Sequence, residues 1–349
     1  MEPGIYIGMK DRDYRAIPAL SNSGIGDLLV QPLTYWDRHF NPDPPPPRET
    51  TATVKGSATH CRILQPELYP ERYATALRKE DVPGALVTMD DLKDFCEANG
   101  LPKTAKRKED LIERIKLANL TPPIWEEEVR RHAFDNQGKT FLTQEEGNDV
   151  ESAAAVVIED AVLSASLSEG YAEVVFVVRD PETGVLLKSM QDYVAPSHTT
   201  DVKTMTVPRN KSFERAVYDS LYYEDYLRQG VFNTRVRAEA RRQLAAGEID
   251  IVGDVTPEWR EGFLRCLQPG FDFIFVESSR PFNVRLEELS EYDYGTQQSV
   301  YWMSAESKIH NAIHLFEQCL SRFGEMPWRA PAERHRLHDS DIPQISFSR

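Results

Sequence analysis

Two carboxylates and one ammonium, Asp192, Asp201 and Lys203, are the residues of this chain best suited by type and spacing to do chemistry. Asp192 ends one expected strand. Nine positions later Asp201 and Lys203 lie two apart on another, so both project from one strand face. If those strands are neighbours, the three groups converge. Phosphodiester hydrolysis needs such a set: two carboxylates bind Mg²⁺ or Mn²⁺ through oxygen, and the ion stabilises charge on phosphate and lowers the pKa of a bound water. The backbone carbonyl of Val202 is placed to be a further ligand. Lys203 can then orient or deprotonate the water and offset negative charge in the transition state. An Asp-x-Lys tripeptide alone arises by chance in many chains, so its weight here comes from the upstream Asp192, the hairpin before it and the helix after it.

The surrounding elements must position these groups. Strands are predicted at Ala172–Arg179, Val185–Lys188 and Tyr193–Ala195, the first two joined by the turn Asp180-Pro-Glu-Thr-Gly184. Val202–Val207 reads as the next strand. An aromatic-rich helix over Phe213–Leu227, a charged helical stretch near 234–246, an apolar strand at Phe271–Glu277 and a helical block at Tyr292–Phe323 follow, then a proline-containing tail, 326–349. Upstream, the chain turns helical from Thr143 with an apolar stripe at Val150, Ala153, Ala154, Val157 and Ile158, ending at Ser168-Glu-Gly170. Asn41-Pro-Asp-Pro-Pro-Pro-Pro47 is a stiff extended spacer. Gly56–Leu64 reads as a small-residue helix start stopped by Gln65-Pro66, and it carries His60. For a lone helical histidine a satisfied or exposed side chain stands beside a ligand role.

Residues 86–119 form a separate compositional unit. Thr88 and Asp91 have capping-box spacing, Leu92, Phe95 and Cys96 share a helical face, and Asn99-Gly100 ends that helix. A second helix runs from about Arg107 to Ala118 on Leu111, Ile112 and Ile115. Lys103, Lys106, Arg107, Lys108, Arg114 and Lys116 gather cations in an otherwise acidic chain, flanking a helix N-terminus that favours phosphate. Asp91 to Ile115 is similar to a SAP motif, a short DNA-binding module, which makes these six residues candidate DNA contacts. A solvated helical hairpin is the other reading.

The 349 residues carry 41 Lys+Arg against 56 Asp+Glu, a formal charge of −15. That balance is unfavourable for a protein that coats DNA nonspecifically, and compatible with an enzyme that grips DNA in a local basic channel. Length points to one large domain with an insertion, or to two domains. Cys61, Cys96, Cys266 and Cys319 form no Cys-x-x-Cys pair, which speaks against a cysteine-ligated zinc or iron–sulfur site and against a disulfide framework. With no apolar run of 18 residues and no signal pattern, a cytoplasmic location without membrane contact is expected, in a bacterial or phage-infected host.

Several motifs occur in an order that resembles a known family. Gly56-Ser-Ala-Thr-His60 with Leu64-Gln-Pro-Glu67, then Asp180-Pro-Glu-Thr-Gly184 with Lys188 and Asp192, then Asp201-Val-Lys-Thr204, look like the nuclease domain of exodeoxyribonuclease VIII, the RecE-type phage recombination exonucleases of the PD-(D/E)XK class. Ile17–Leu29 through Pro32 and Tyr35 resembles the family's N-terminal helix, and Phe273-Ile-Phe-Val-Glu277 with Pro281 its late core strand. The resemblance implies an α/β fold with a central mixed sheet flanked by helices, built from 1–80 and 140–325, with the SAP-like piece inserted. It also implies a 5′-to-3′ exonuclease on double-stranded DNA ends that leaves a single strand for recombination, homo-oligomeric and working with a single-strand annealing protein. Carried over, Asp192 and Asp201 are metal ligands, Lys203 the catalytic lysine, His60 a metal-proximal residue and Glu173 a further acidic residue. The sequence departs from the family where Met190 and Gln191 precede Asp192. It departs again where the family's helix after the lysine presents a Gln and, four residues on, a Tyr. Ungapped alignment places Leu221 and Asp225 there, and a one-residue slip places Tyr222 and Tyr226.

Two other functions fit the same residues. An endonuclease of restriction or repair type is favoured if the SAP-like piece directs the enzyme to internal sites, and linear against closed-circular duplex separates the two. A non-catalytic DNA-binding protein on this fold would have no physical reason to retain Asp192, Asp201 and Lys203 together.

Overall fold

The structure is a computed structural model that describes residues 1–44, 50–293 and 297–330. The second half of the predicted proline spacer and most of the 326–349 tail lie outside the described residues. In chain order the main elements are β1 (Gly4–Tyr6), α1 (Asn22–Val30), α2 (Pro32–His39), α3 (Thr51–Leu64), α4 (Met89–Ala98), α5 (Lys108–Leu117), α6 (Trp125–Asp135) and α7 (Gln144–Glu159). Then come β2 (Tyr171–Arg179), β3 (Leu186–Val194), β4 (His198–Met205), α8 (Phe213–Tyr223), α9 (Tyr226–Ala245), β5 (Asp250–Val252), α10 (Pro257–Arg265), β6 (Gly270–Glu277), β7 (Val284–Leu289) and α11 (Val300–Phe323).

A seven-stranded mixed sheet in the order β5-β1-β2-β3-β4-β6-β7 forms the centre, parallel at β1/β5 and β4/β6 and antiparallel elsewhere. Helices cover both faces. Val174–Val178 of β2 are all fully buried, which is why that stretch reads as a continuous apolar run rather than an alternation. On one face Phe271, Phe273 and Phe275 of β6 meet α9 and α11 in the largest core. On the other, Val202, Ile274 and Val276 meet Ile63 and Leu64 of α3 and Ala153, Ala154 and Val157 of α7. The apolar stripe expected in α7 packs at Val150, Ala153, Ala154 and Val157, whereas Ile158 at the end of the helix is exposed, and Thr143 with Glu146 caps the start.

Residues 86–124 lie on a two-helix excursion with its own small core of Leu92, Cys96, Leu111 and Ile115, closed by pairing of Leu86 with Ile124. The Thr88 and Asp91 capping box forms as the spacing predicts.

Four predicted boundaries are corrected. Val185–Lys188 and Tyr193–Ala195 are one strand, β3, because Ser189–Gln191 continue the ladder with β2 that their mixed polarity hid. The helix predicted over 213–227 breaks at Glu224–Asp225, where Asp225 adopts φ 54° and starts α9. The helix from Thr143 ends at Glu159 and restarts at Ala161 because Asp160 caps a new short helix. Before Val300, Tyr292–Asp293 pairs antiparallel with Gln297–Gln298, and Ser299 caps α11.

Candidate active site

The site forms where the β3/β4 ladder gives out. These strands pair only at Tyr193↔Thr200 and Val194↔Thr199. The next rung would join Asp192 to Asp201, and there the strands part. The Asp192 carboxylate instead accepts the Val202 N–H at 2.8 Å, satisfying a donor that the lost rung leaves free. On β4, Asp201 and Lys203 stand opposite Phe273 and Phe275 of β6, so the two share a face as their spacing requires. Lys203 Nζ lies 2.5 Å from Asp201 Oδ1.

Neighbouring helices complete the cluster. Gly56 of α3 comes so close to β4 that an added Cβ would sit 2.9 Å from Thr204 Oγ1. That approach, one helical turn before His60, carries the imidazole to 2.8 Å from Asp192 Oδ2. Gly230 of α9 packs against Leu289 and Phe271 with no room for a side chain, which sets the adjacent Gln229 over β4. Gln229 Nε2 donates to Asp201 Oδ2 at 2.7 Å, and Nζ of Lys203 sits 4.8 Å from the centre of the Tyr226 ring. Glu173 is in register opposite Asp192 on β2, yet it adopts φ 51° and interrupts the ladder at that rung. A left-handed conformation in a residue with a long side chain is costly, and such strain concentrates at functional sites.

Burial and mutual charge shape the titration of the group. Burial, joined by the Asp192 charge, pushes the Asp201 carboxyl up to about 6 despite its lysine partner. Burial also acts to raise Asp192, but His60 and Lys203 outweigh it and hold that carboxyl below its ordinary value. For His60 and Lys203 the opposite contest holds: burial lowers each, and the carboxylates raise both above their usual values. Burial raises Glu173, with Asp192 adding to it. Two carboxylates that cannot both ionise without help stand beside a retained cation, so the three groups titrate as one cluster.

The donor set fits a hard divalent cation. It is rich in carboxylate oxygen, and the buried Asp201 Oδ1 has no partner but the Lys203 ammonium against it at 2.5 Å. His60, Asp192, Asp201 and Glu173 do not bring any three ligand atoms within 4.8 Å of one another. Asp192 faces His60 and the Val202 amide while Asp201 faces Lys203 and Gln229, so protein cations and donors stand where an ion would draw the oxygens together.

The cluster opens into a groove of about 950 Å³ lined by His60, Glu173, Val202, Lys203 and Tyr226, with Lys10, Arg15 and Arg72 along its walls. None of the six cations of the helical excursion lines it. Lys103 pairs with Glu97, Arg107 with Asp110, Lys108 with Glu126 and Lys116 with Glu127. Arg114 donates to the carbonyls of Pro102 and Thr104, and Lys106 is exposed with no ion-pair partner among the described residues.

Gln229 was not legible as a site residue. It follows the helix break at Asp225, beyond the stretch where the family's Gln was sought, and the break moves the register. Of the positions considered, Leu221 packs on the core, Tyr222 is exposed, Asp225 makes the break, and Tyr226 alone reaches the site. Four residues after Gln229 stands Asn233, which accepts from Ser189 Oγ. Gln191, at the first departure, is fully buried, donating to Asn233 O and accepting from Thr199 Oγ1, a structural tie between β3, β4 and α9.

No family model and no curated protein matches the chain. Among solved structures it is similar to one from Eubacterium rectale that carries a provisional exonuclease name, at 14% identity and a TM-score of 0.32, covering 70% of this chain and 84% of that one.

Proposed function

We propose that the protein is a metal-dependent deoxyribonuclease that releases nucleotides from double-stranded DNA ends. The observation that carries this reading is the convergence of Asp192, Asp201 and Lys203, with His60 and Gln229 behind them, at the point where β3 and β4 part beneath the groove. Asp192, Asp201 and the Val202 carbonyl are the residues that would hold Mg²⁺ or Mn²⁺. The bound ion supplies Lewis-acid stabilisation of phosphate charge and a more acidic water.

The remaining work belongs to the side chains. Lys203 holds its proton beside Asp201 and presents positive charge to the phosphate oxygens as charge builds on them. Gln229 fixes the rotamer of Asp201 through Oδ2, so that Oδ1 would be the oxygen offered to the ion. His60 fixes Asp192. Lys10, Arg15 and Arg72 line the path on which the phosphate backbone would lie. Preference for ends, 5′-to-3′ polarity, homo-oligomeric assembly and an annealing partner rest on the resemblance to recombination exonucleases.

The test is digestion of end-labelled linear duplex with closed-circular duplex as control. Mg²⁺- or Mn²⁺-dependent release of nucleotides from the linear substrate, with circles intact, is the expected result. Cutting of closed circles would replace exonuclease by endonuclease, and equal activity in EDTA would refute the metal-dependent reading.

A further inference from the structure

We propose a second metal site, distinct from the nuclease centre and suited to Zn²⁺ or another borderline transition metal, formed by Glu182, His310 and His314. Among the described residues this is the only trio of histidine, cysteine and carboxylate ligands whose donor atoms all lie within 4.8 Å of one another. His310 and His314 are one helical turn apart on α11, so both imidazoles project from the same side, and their ring centres are 4.4 Å apart. Glu182 comes from the β2–β3 turn, with Oε2 at 3.6 Å from His310 Nδ1 and Oε1 at 3.2 Å from His314 Nε2.

Those separations agree with coordination. Ligands about 2.0–2.1 Å from a tetrahedral Zn²⁺ stand roughly 3.3–3.4 Å from one another, and the two measured distances straddle that value. The 3.6 Å contact is also too long for a hydrogen bond, so His310 and Glu182 approach without satisfying each other. Two imidazoles and one carboxylate are a borderline donor set that favours Zn²⁺, Co²⁺ or Ni²⁺ over Mg²⁺, in contrast to the oxygen-rich nuclease centre. No cysteine takes part.

Both sides of the trio are held by the fold. Asp180, buried at the base of the turn, accepts from the Glu182 and Thr183 amides and pairs with Arg235 at 2.7 Å, so the turn that offers Glu182 is pinned to α9. Ile309, Ile313 and Phe316 bury the adjacent face of α11. An ion there would join residues 128 apart in sequence (310 − 182), clipping the β2–β3 hairpin to the C-terminal helix. With three protein ligands and partial exposure, the fourth position is left to water, which suits a stabilising clip of moderate affinity.

The experiment is calorimetric titration of the full chain with Zn²⁺ in the presence of millimolar Mg²⁺, repeated with the His310→Ala/His314→Ala and Glu182→Gln variants, each checked for folding by circular dichroism. The expected result is one Zn²⁺ equivalent on the wild type, weakened by at least about tenfold in either variant, with a Zn²⁺-dependent rise in melting temperature that the variants lose. Nucleotide release in Mg²⁺ should be unchanged by the His310→Ala/His314→Ala pair. Undiminished Zn²⁺ binding in the variants, or none in the wild type, would overturn the proposal, and either outcome is read without any nuclease activity.

Discussion

The Asp192–Asp201–Lys203 centre and the two-helix excursion use charge in opposite ways. In the centre, His60, Glu173, Asp192, Asp201, Lys203 and Gln229 come from five separate elements and are gathered into one partly buried cluster. In the excursion, six cations lie within fourteen positions of sequence (103 to 116), and the fold disperses them into surface contacts, two with carboxylates of the excursion itself and two with carboxylates of α6. Density of charge along the chain is thus a poor guide to density of charge in space. The centre is where electrostatic free energy is concentrated, because burial deprives its charges of water, whereas exposed pairs are worth about 0–1 kcal/mol each.

The largest effect should come from breaking the centre. Lys203→Ala and Asp201→Asn are each expected to lower the rate of nucleotide release by about 10³-fold or more, measured on end-labelled duplex. Folded protein with undiminished activity from both variants would remove the centre's side of the comparison. Next, Leu111→Ala should cost about 2–5 kcal/mol of local stability in the excursion, since Leu111 is fully buried in a core of four residues. Hydrogen exchange should show 86–124 losing protection while turnover changes less than about twofold. A large loss of activity would mean the two regions are energetically one.

Acidity separates the regions too. The Asp201 carboxyl is raised from its unfolded value of 3.8 to about 6, so the folded state binds more protons than the unfolded one between those values and stability falls as pH rises through that window. His60, raised in the fold, acts in the same sense at and above its unfolded value of 6.5. In EDTA the protein should therefore be more stable at pH 5 than at pH 7. Asp201→Asn should flatten that dependence by an amount on the order of 3 kcal/mol at most, read from urea midpoints. An equal slope in the variant would contradict the assignment of the burden to Asp201.

Smaller still, Gln229→Ala should reduce kcat by about tenfold with KM little changed, because Gln229 holds Asp201 and does not line the groove. The smallest effect concerns the excursion's cations. Among the described residues only Lys106 and Arg114 of the six have no carboxylate partner, so replacing both should lower the salt dependence of DNA binding by about two, against about five if all six met phosphate. No change for the double variant would remove DNA contact from the excursion.

What could be read from sequence follows the same division. The Asp192, Asp201 and Lys203 trio was legible because period-two geometry forces residues two apart on a strand onto one face, and because the Asp180–Gly184 turn announces the hairpin that leads to Asp192. The α7 stripe and the Thr88 cap were legible through helical period and side-chain capping chemistry. Gln229 was hidden by the left-handed Asp225, a residue type that tolerates that conformation without signalling it as glycine would. The strain at Glu173 was hidden because nothing in Ala-Glu-Val distinguishes an interrupted rung from a regular one. The pairing of Lys103, Lys108 and Lys116 depends on acids of two other helices, α4 and α6, and no local pattern contains it.

The central claim is that Asp192 and Asp201 serve one divalent ion. Mn²⁺ titration followed by electron paramagnetic resonance, in the His310→Ala/His314→Ala background, tests it most directly. The account predicts a tight Mn²⁺ site that is lost alike in Asp192→Asn and in Asp201→Asn. Full Mn²⁺ affinity after either substitution would contradict it.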